Sequence, residues 1–343
     1  MKILLIGFGH VGRKLAEIII QKKDQFPGLA NRPISIAGII TKTRGIMVHP
    51  TENEMRHILD GHHKIGAIST DNPEVIYANT IQMIREWDYD VMVELSPLSI
   101  SEKGEPAITY IREALIRGKH VVTANKGPVA FAFDELHTLA LRNHVKFLFE
   151  AIVMDGTPVF NLVRETLKGC QISQVSGILN STTNFIISSM EEGESFDYAL
   201  RVAQKEGITE RDPSYDIEGW DAAAKIAAMA NVFLGARTTP LHVTRKGIEN
   251  MTPEMIRESN KKNKRIRLIA RAWNDSGSVR TMVQPEYLPL KDLFSNIHGT
   301  GACLKIETDL MAPIMISQFN PTLKDTAFGV IEDLLTISDA RRT

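Results

Sequence analysis

Two clusters in this 343-residue chain combine residue types and spacing that can do chemistry. The first is Gly7-Phe8-Gly9-His10-Val11-Gly12, directly after the apolar run at residues 2–6. A GxGxxG sequence that closes a strand and opens a helix cradles a dinucleotide. Gly7 permits the tight turn, Gly9 leaves room for a pyrophosphate, and Gly12 lets helix and strand pack closely. The helix start adds free N–H groups and a partial positive charge for phosphate. The whole run, Phe8, His10 and Val11 included, is therefore a candidate cofactor site. The second cluster runs from Gly207 to Lys225 as GITERDPSYDIEGWDAAAK. Asp221 and Lys225 are four apart, so on a helix they share a face. Alone, they read as a surface ion pair worth a few tenths of a kcal/mol. Glu210, Asp212, Asp216 and Glu218 alone read as a solvated acidic loop.

The dinucleotide fingerprint ordinarily includes an acid after the second strand, which binds a ribose 2′-hydroxyl. Here that strand ends in Ile39-Ile40 and continues Thr41-Lys42-Thr43-Arg44-Gly45. Hydroxyls and cations at Thr43 and Arg44 favour a 2′-phosphate. NADP(H) is the preferred cofactor on this reading, with NAD(H) as the alternative.

The elements that must position these residues follow from periodicity. Up to about residue 150, apolar runs alternate with helical patterns, as a parallel α/β sheet requires. Strands are expected at 2–6, 34–40, 90–95, 119–123 and 145–149, and helices at 11–22, 105–117 and 133–143. Beyond that, 171–179 alternates as an open sheet face does. Helices are expected at 181–192, 196–206 and 221–234. Segments 264–273 and 279–285 form a hairpin around Asn274-Asp275-Ser276-Gly277-Ser278. Strands at 303–307 and 312–317 and a helix at 326–335 complete the chain. The fold class is α/β: a Rossmann-type parallel sheet over 1–148, an α+β substrate and dimerisation domain over 149–318, and a C-terminal helix in 319–343 returning to the first domain.

Apolar residues make up 43 % of the chain, charged residues 24 %, and the formal net charge is −1. Nothing in that balance calls for nucleic acid or an anionic membrane. The N-terminal apolar run is too short for a signal peptide or a membrane span. Cys170 and Cys303 are too few for a disulfide scaffold and lack metal-ligand spacing. A cytoplasmic protein is expected.

Several segments together carry a family likeness. They are GFGHVG, TANKGPVA from Thr123, FEAIVMDGTPV from Phe149, GILNSTTNFI from Gly177, the Gly207-to-Lys225 stretch, and IRLIARA from Ile266. In these, nearly the whole chain resembles homoserine dehydrogenase. The resemblance implies reversible NAD(P)H-dependent reduction of aspartate 4-semialdehyde to homoserine. It makes Lys225 the proton donor to the developing alkoxide. Asp221 would hold substrate or a water chain from the same helix face. Glu210 and Asp216 would bind substrate, Glu210 through its α-ammonium group. Lys126 would lie between cofactor and substrate, in a binding or a proton-relay role. Ser96 would meet the nicotinamide ribose, and Gly207 would make a backbone contact near the nicotinamide. Glu150, Val153, Asp155 and Thr157 would hold a monovalent cation, sodium, mostly through carbonyls. A homodimer is also implied.

The sequence departs from the family at Ser181, where Gly is common, and before the last helix. There Gln318-Phe319-Asn320-Pro321-Thr322 replaces a glycine-rich loop, so no cofactor contact is carried onto it. The chain is expected to be a single dehydrogenase unit with no fused kinase or amino-acid-sensing module. The alternatives are another two-domain NAD(P)-dependent dehydrogenase and a non-enzymatic NADP(H) sensor. A thioester-forming aspartate semialdehyde dehydrogenase would need Cys170 or Cys303 as nucleophile. Neither has a histidine or a glycine-rich acyl site beside it in sequence.

Overall fold

The structure, a computed structural model, describes residues 1–22, 26, 33–42, 45–60, 75–76 and 79–339. Thr43 and Arg44, expected to select the cofactor, lie outside the described residues. The described chain forms two compact units. Unit 1 contains residues 1–163 and 322–343, and unit 2 contains residues 164–321.

Unit 1 begins with β1 (Lys2–Ile6), whose sequence KILLI is buried from Ile3 onward. Runs without alternation suit a strand covered on both faces. The other strands are β2 (Ser35–Thr41), β3 (Gly45–Val48), β4 (Val75–Ile76), β5 (Val91–Glu94), β6 (His120–Thr123) and β7 (Phe147–Leu148). They form one sheet in the order β4-β3-β2-β1-β5-β6-β7. The run from β2 to β7 is parallel, as the alternation of apolar and helical segments predicts. β3 and β4 add an antiparallel edge that periodicity did not reveal. The chain order reverses between β1 and β5, which places the crevice of a doubly wound sheet at the carboxyl ends of those two strands.

Helix His10–Lys22 buries Gly12, Leu15, Ala16, Ile18 and Ile19. The last helix, Leu323–Asp339, joins the same core through Ala327, Val330, Ile331, Leu334 and Ile337. Helix Lys126–Arg142 starts earlier than the expected 133 because Asn125 caps it, its Oδ1 accepting from the Gly127 amide at 2.9 Å. A kink at Ala132 (φ −140°) separates that first turn from the periodic part.

Unit 2 has β8 (Ile172–Ile178), β9 (Thr244–Arg245), β10 (Lys264–Asp275), β11 (Ser278–Pro289), β12 (Ala302–Thr308) and β13 (Ile314–Gln318), ordered β13-β12-β8-β10-β11-β9. The hairpin of β10 and β11 closes on Ser276 and Gly277, both at positive φ, the turn that matches strand twist. Helix Trp220–Leu234 is alanine-rich and nearly all buried. Its small side chains let it lie close to β10, β11 and β8.

The docking of the last helix depends on two glycines. A Cβ on Gly156 would meet the Asp325 carbonyl oxygen at 2.1 Å and the Gly329 amide at 2.8 Å. Both obstacles are backbone, so nothing can rotate away. Gly156→Ala is expected to destabilise the protein by about 2 kcal/mol, the scale of an overpacked core. Urea denaturation with an unchanged midpoint would contradict this close approach.

Candidate active site

In unit 1 the glycine run lies where the sheet order reverses. Gly7 takes φ +93°, and a Cβ there would come within 2.9 Å of the Leu95 carbonyl oxygen. Only glycine fits that turn. A Cβ on Gly12 would sit 3.0 Å from the Gly7 carbonyl, while one on Gly9 would meet open space. So Gly7 and Gly12 are fixed by packing, and Gly9 keeps a surface clear. Phe8 is buried in the core, which leaves its backbone to serve a ligand. His10 is exposed at the helix start and Val11 is half-buried. The first-turn amides of this helix have no intrahelical acceptors. With the partial positive charge of the terminus they fit a pyrophosphate. Thr41 ends β2, and its hydroxyl donates to the Gly45 carbonyl at 3.1 Å, so no carboxylate stands at that strand end.

The next two strand ends carry a polar cluster. Ser96, half-buried, donates its amide to Glu94 Oε1 at 2.7 Å, and its hydroxyl also donates to Oε1. Thr123 Oγ1 donates to Glu94 Oε2 at 2.9 Å. Lys126 is half-buried at the first position of the helix that Asn125 caps.

The loop after β7 holds Glu150, Val153, Asp155 and Thr157. The Glu150 carboxylate accepts from the Phe160 and Asn161 amides at 2.8 and 2.6 Å, which caps helix Val159–Thr166. Asp155 Oδ1 accepts from the Thr326 hydroxyl at 3.0 Å. Val153 and Met154 are buried, and the Thr157 carbonyl accepts from the Val159 amide. These carboxylates are engaged within the protein, so a cation here would rest on carbonyl oxygens. Among the described residues, no group of three or more His, Cys, Asp or Glu could hold a metal ion.

Unit 2 gathers the acidic stretch around the turn after β8. Lys225 and Asp221 do share a helix face: Nζ lies 2.9 Å from Asp221 Oδ2, with both side chains 16 % exposed. Lys225 also donates to the Leu179 carbonyl at 2.7 Å. The next residue, Asn180, uses its whole amide. Oδ1 caps helix Ser181–Glu191 through the Thr183 amide, and Nδ2 donates to Asp216 Oδ1 at 2.7 Å and Asp221 Oδ2 at 3.0 Å. Asp216 Oδ2 accepts from Thr182 and Thr209 at 2.9 and 2.7 Å. Asp216, Asp221 and Lys225 thus form one network. Glu210 stays outside it: exposed, next in sequence to Thr209, and with no hydrogen bond found among the described residues. Gly207 follows helix Phe196–Lys205 at φ +71°, where glycine closes a helix most easily.

Asn180, Thr182, Thr209 and Glu94 are contributors that sequence reasoning missed. Asn180 had a readable signal, since Asn before Ser-Thr-Thr is a helix cap. The thioester alternative loses one of its two candidate nucleophiles here. Cys303 is fully buried, and burial pushes its thiol up, away from a reactive thiolate.

Comparison with known proteins fits this geometry. The homoserine dehydrogenase family model matches residues 158–335, and that family's NAD-binding domain matches residues 7–150. The chain is 36 % identical to homoserine dehydrogenase of Methanocaldococcus jannaschii, over all of both chains. The chain belongs to the homoserine dehydrogenase family. It is an NAD(P)-dependent oxidoreductase of amino-acid biosynthesis, not a cofactor sensor. An NAD(+)-dependent homoserine dehydrogenase of Pseudomonas canavaninivorans is 33 % identical, over 98 % of this chain and 96 % of that one. Among solved structures, a hyperthermophilic archaeal homoserine dehydrogenase mutant in complex with NADPH superposes with TM-score 0.83 at 28 % identity, covering 99 % of this chain and 98 % of that one. The enzyme from Thiobacillus denitrificans gives TM-score 0.83 at 27 % identity, covering all of this chain and 74 % of that one. No helix among the described residues is long and apolar enough to cross a membrane.

The Asn180 bridge predicts a separable effect. Asn180→Ser keeps a residue able to cap the helix but removes the donor that joins Asp216 to Asp221. We expect kcat/KM with homoserine to fall about tenfold or more, the scale of losing a hydrogen bond to a charged group. Parent-like kcat/KM in a folded variant would show that the two carboxylates need no bridge.

Proposed function

We propose that unit 2 holds homoserine or aspartate 4-semialdehyde and that Lys225 exchanges the proton of its hydroxyl oxygen. The observation that carries this reading is the half-buried Lys225–Asp221 pair, anchored on the Leu179 carbonyl and tied through Asn180 to Asp216. Bound NAD(P)H supplies hydride to the aldehyde carbon. Lys225 meets the oxygen as it becomes an alkoxide, stabilising its charge and delivering the proton. Asp221 holds the ammonium in place and keeps an anion beside the substrate. Glu210, exposed and outside the network, is left to pair with the substrate's α-ammonium group. Asp216 shapes the substrate site through the hydroxyls of Thr182 and Thr209. Lys126 serves as a binding or relay group on the cofactor side, Ser96 meets the nicotinamide ribose, and Gly207 contributes its backbone.

Cofactor preference follows from the end of β2. Thr41 stands where an acid would repel a 2′-phosphate, and Lys42, Thr43 and Arg44 follow it in sequence. We therefore assign NADP(H) as the preferred cofactor and NAD(H) as the weaker one. The carbonyls of Glu150, Val153, Asp155 and Thr157 are assigned to sodium, since oxygen-only donors suit a hard monovalent cation. The enzyme is read as a cytoplasmic homodimer, which cell fractionation and sedimentation velocity would test.

One assay examines these assignments together. With homoserine and NADP⁺, absorbance of NADPH should rise. NAD⁺ should give a lower kcat/KM, and replacing sodium by tetramethylammonium should slow turnover. Lys225→Ala should leave NADPH binding intact and lower kcat by roughly 10²–10⁴-fold, as loss of a general acid does. Equal turnover in Lys225→Ala and parent would reduce the pair to an ordinary ion pair, and equal rates with both nucleotides would show that Thr41 to Arg44 do not select the cofactor.

A further inference from the structure

Glu94 ends β5 and is wholly buried. It pairs with Ile6 of β1 on one side and Thr123 of β6 on the other, at the point where the sheet order reverses. Burial pushes its carboxyl up, and hydrogen bonds from Ser96, Thr123 and Asn125 pull it back. A buried carboxyl is costly, and an apolar residue would end this strand more cheaply.

The bonds around it have a direction. The Ser96 amide can only donate, so Glu94 Oε1 must accept. The Ser96 hydroxyl gives its proton to the same oxygen, so Ser96 Oγ has only lone pairs left, and one of them accepts from Asn125 Nδ2 at 3.4 Å. On the other side, Thr123 Oγ1 donates to Oε2 and accepts from the Asn125 amide at 3.0 Å. Asn125 in turn caps the helix that begins at Lys126. One carboxyl thereby sets the loops after both β5 and β6.

We propose that Glu94 is a positioning residue for the cofactor: by taking the Ser96 proton it presents Ser96 Oγ as an acceptor to a ribose hydroxyl of the nicotinamide nucleoside. This rests on the reading of Ser96 as a cofactor contact. It extends that reading by fixing the polarity of the contact and naming the residue that fixes it. A freely rotating serine could donate or accept; this one can only accept.

The test is a mutant cycle read in the KM and dissociation constant for NADPH, with kcat as the contrast. Glu94→Met fills the same space without an acceptor and is expected to raise KM for NADPH about tenfold, with kcat within about twofold. Glu94→Gln keeps an oxygen for Ser96 and should rescue KM to within about twofold of the parent. Ser96→Ala should match Glu94→Met, and the double variant should be no worse than Ser96→Ala, because the two act through one contact. Should Glu94→Met fail to fold, Glu94→Asp withdraws the oxygens from Ser96 and should weaken NADPH in the same direction. If Ser96→Ala weakens NADPH and Glu94→Met and Glu94→Asp do not, the positioning role is overturned and the Ser96 contact stands. If Ser96→Ala also binds like the parent, both are overturned. Additive losses in the double variant would mean that Glu94 acts on the fold and not through Ser96.

Discussion

A charge drawn out of water has to be answered by an opposite charge or by oriented dipoles, and unit 2 is organised around one such charge. The Lys225 ammonium lies between the Asp221 carboxylate and the Leu179 carbonyl. That requirement reaches outward. Asp221 also accepts from Asn180, and Asn180 is held by its cap on helix Ser181–Glu191. The same amide fixes Asp216, which binds the hydroxyls of Thr182 and Thr209. The turn after β8 thus supplies the lysine's carbonyl from one residue and the carboxylates' donor from the next. Helix Trp220–Leu234 can bring Lys225 there because its alanines allow a close approach to the sheet.

Unit 1 solves the complementary problem. Its ligand is polyanionic, and its strand ends offer N–H groups and hydroxyls. The start of helix His10–Lys22 presents amides in the open space beside Gly9. At the sheet's crevice the Glu94 carboxyl is buried and covered by donors from Ser96 and Thr123. Its bonds reach the loops after both β5 and β6. In unit 2 an ammonium is answered by a carboxylate and a carbonyl, and in unit 1 a carboxyl is answered by hydroxyl and amide donors.

These two logics were unequally legible in the sequence. GFGHVG names its own turn, because glycine spacing is a backbone requirement, and the β1 and helix periods around it are strong. Asp221 and Lys225 share a face on any helix, so their pairing could be read directly, although their burial could not. Glu94 falls within the strand expected at 90–95, and only the sheet order reveals that it stands between β1 and β6. No element is expected over 45 to 60, because the short strand Gly45–Val48 and capped helix Glu52–Leu59 depend on tertiary pairing with β2 and on the Thr51–Glu54 capping box. Gly156 reads as an ordinary loop glycine until Asp325 and Gly329 are seen against it.

The same distinction explains the loop that departs from the family. A glycine-rich segment before the last helix supplies left-handed backbone freely. Here Asn320 takes φ +50° in its place, and asparagine is among the few residues that tolerate that region. Thr322 then starts helix Leu323–Asp339 with a reciprocal box: its amide and hydroxyl donate to Asp325 Oδ2 at 2.8 and 2.7 Å, and its Oγ1 accepts from the Lys324 amide at 3.3 Å. These bonds hold the Asp325 carboxyl below its usual range. The Asp325 carbonyl is also the one that a Cβ on Gly156 would meet. The loop therefore reaches a left-handed position at Asn320 without glycine. What it gains is a fixed start for the helix that completes the unit 1 core.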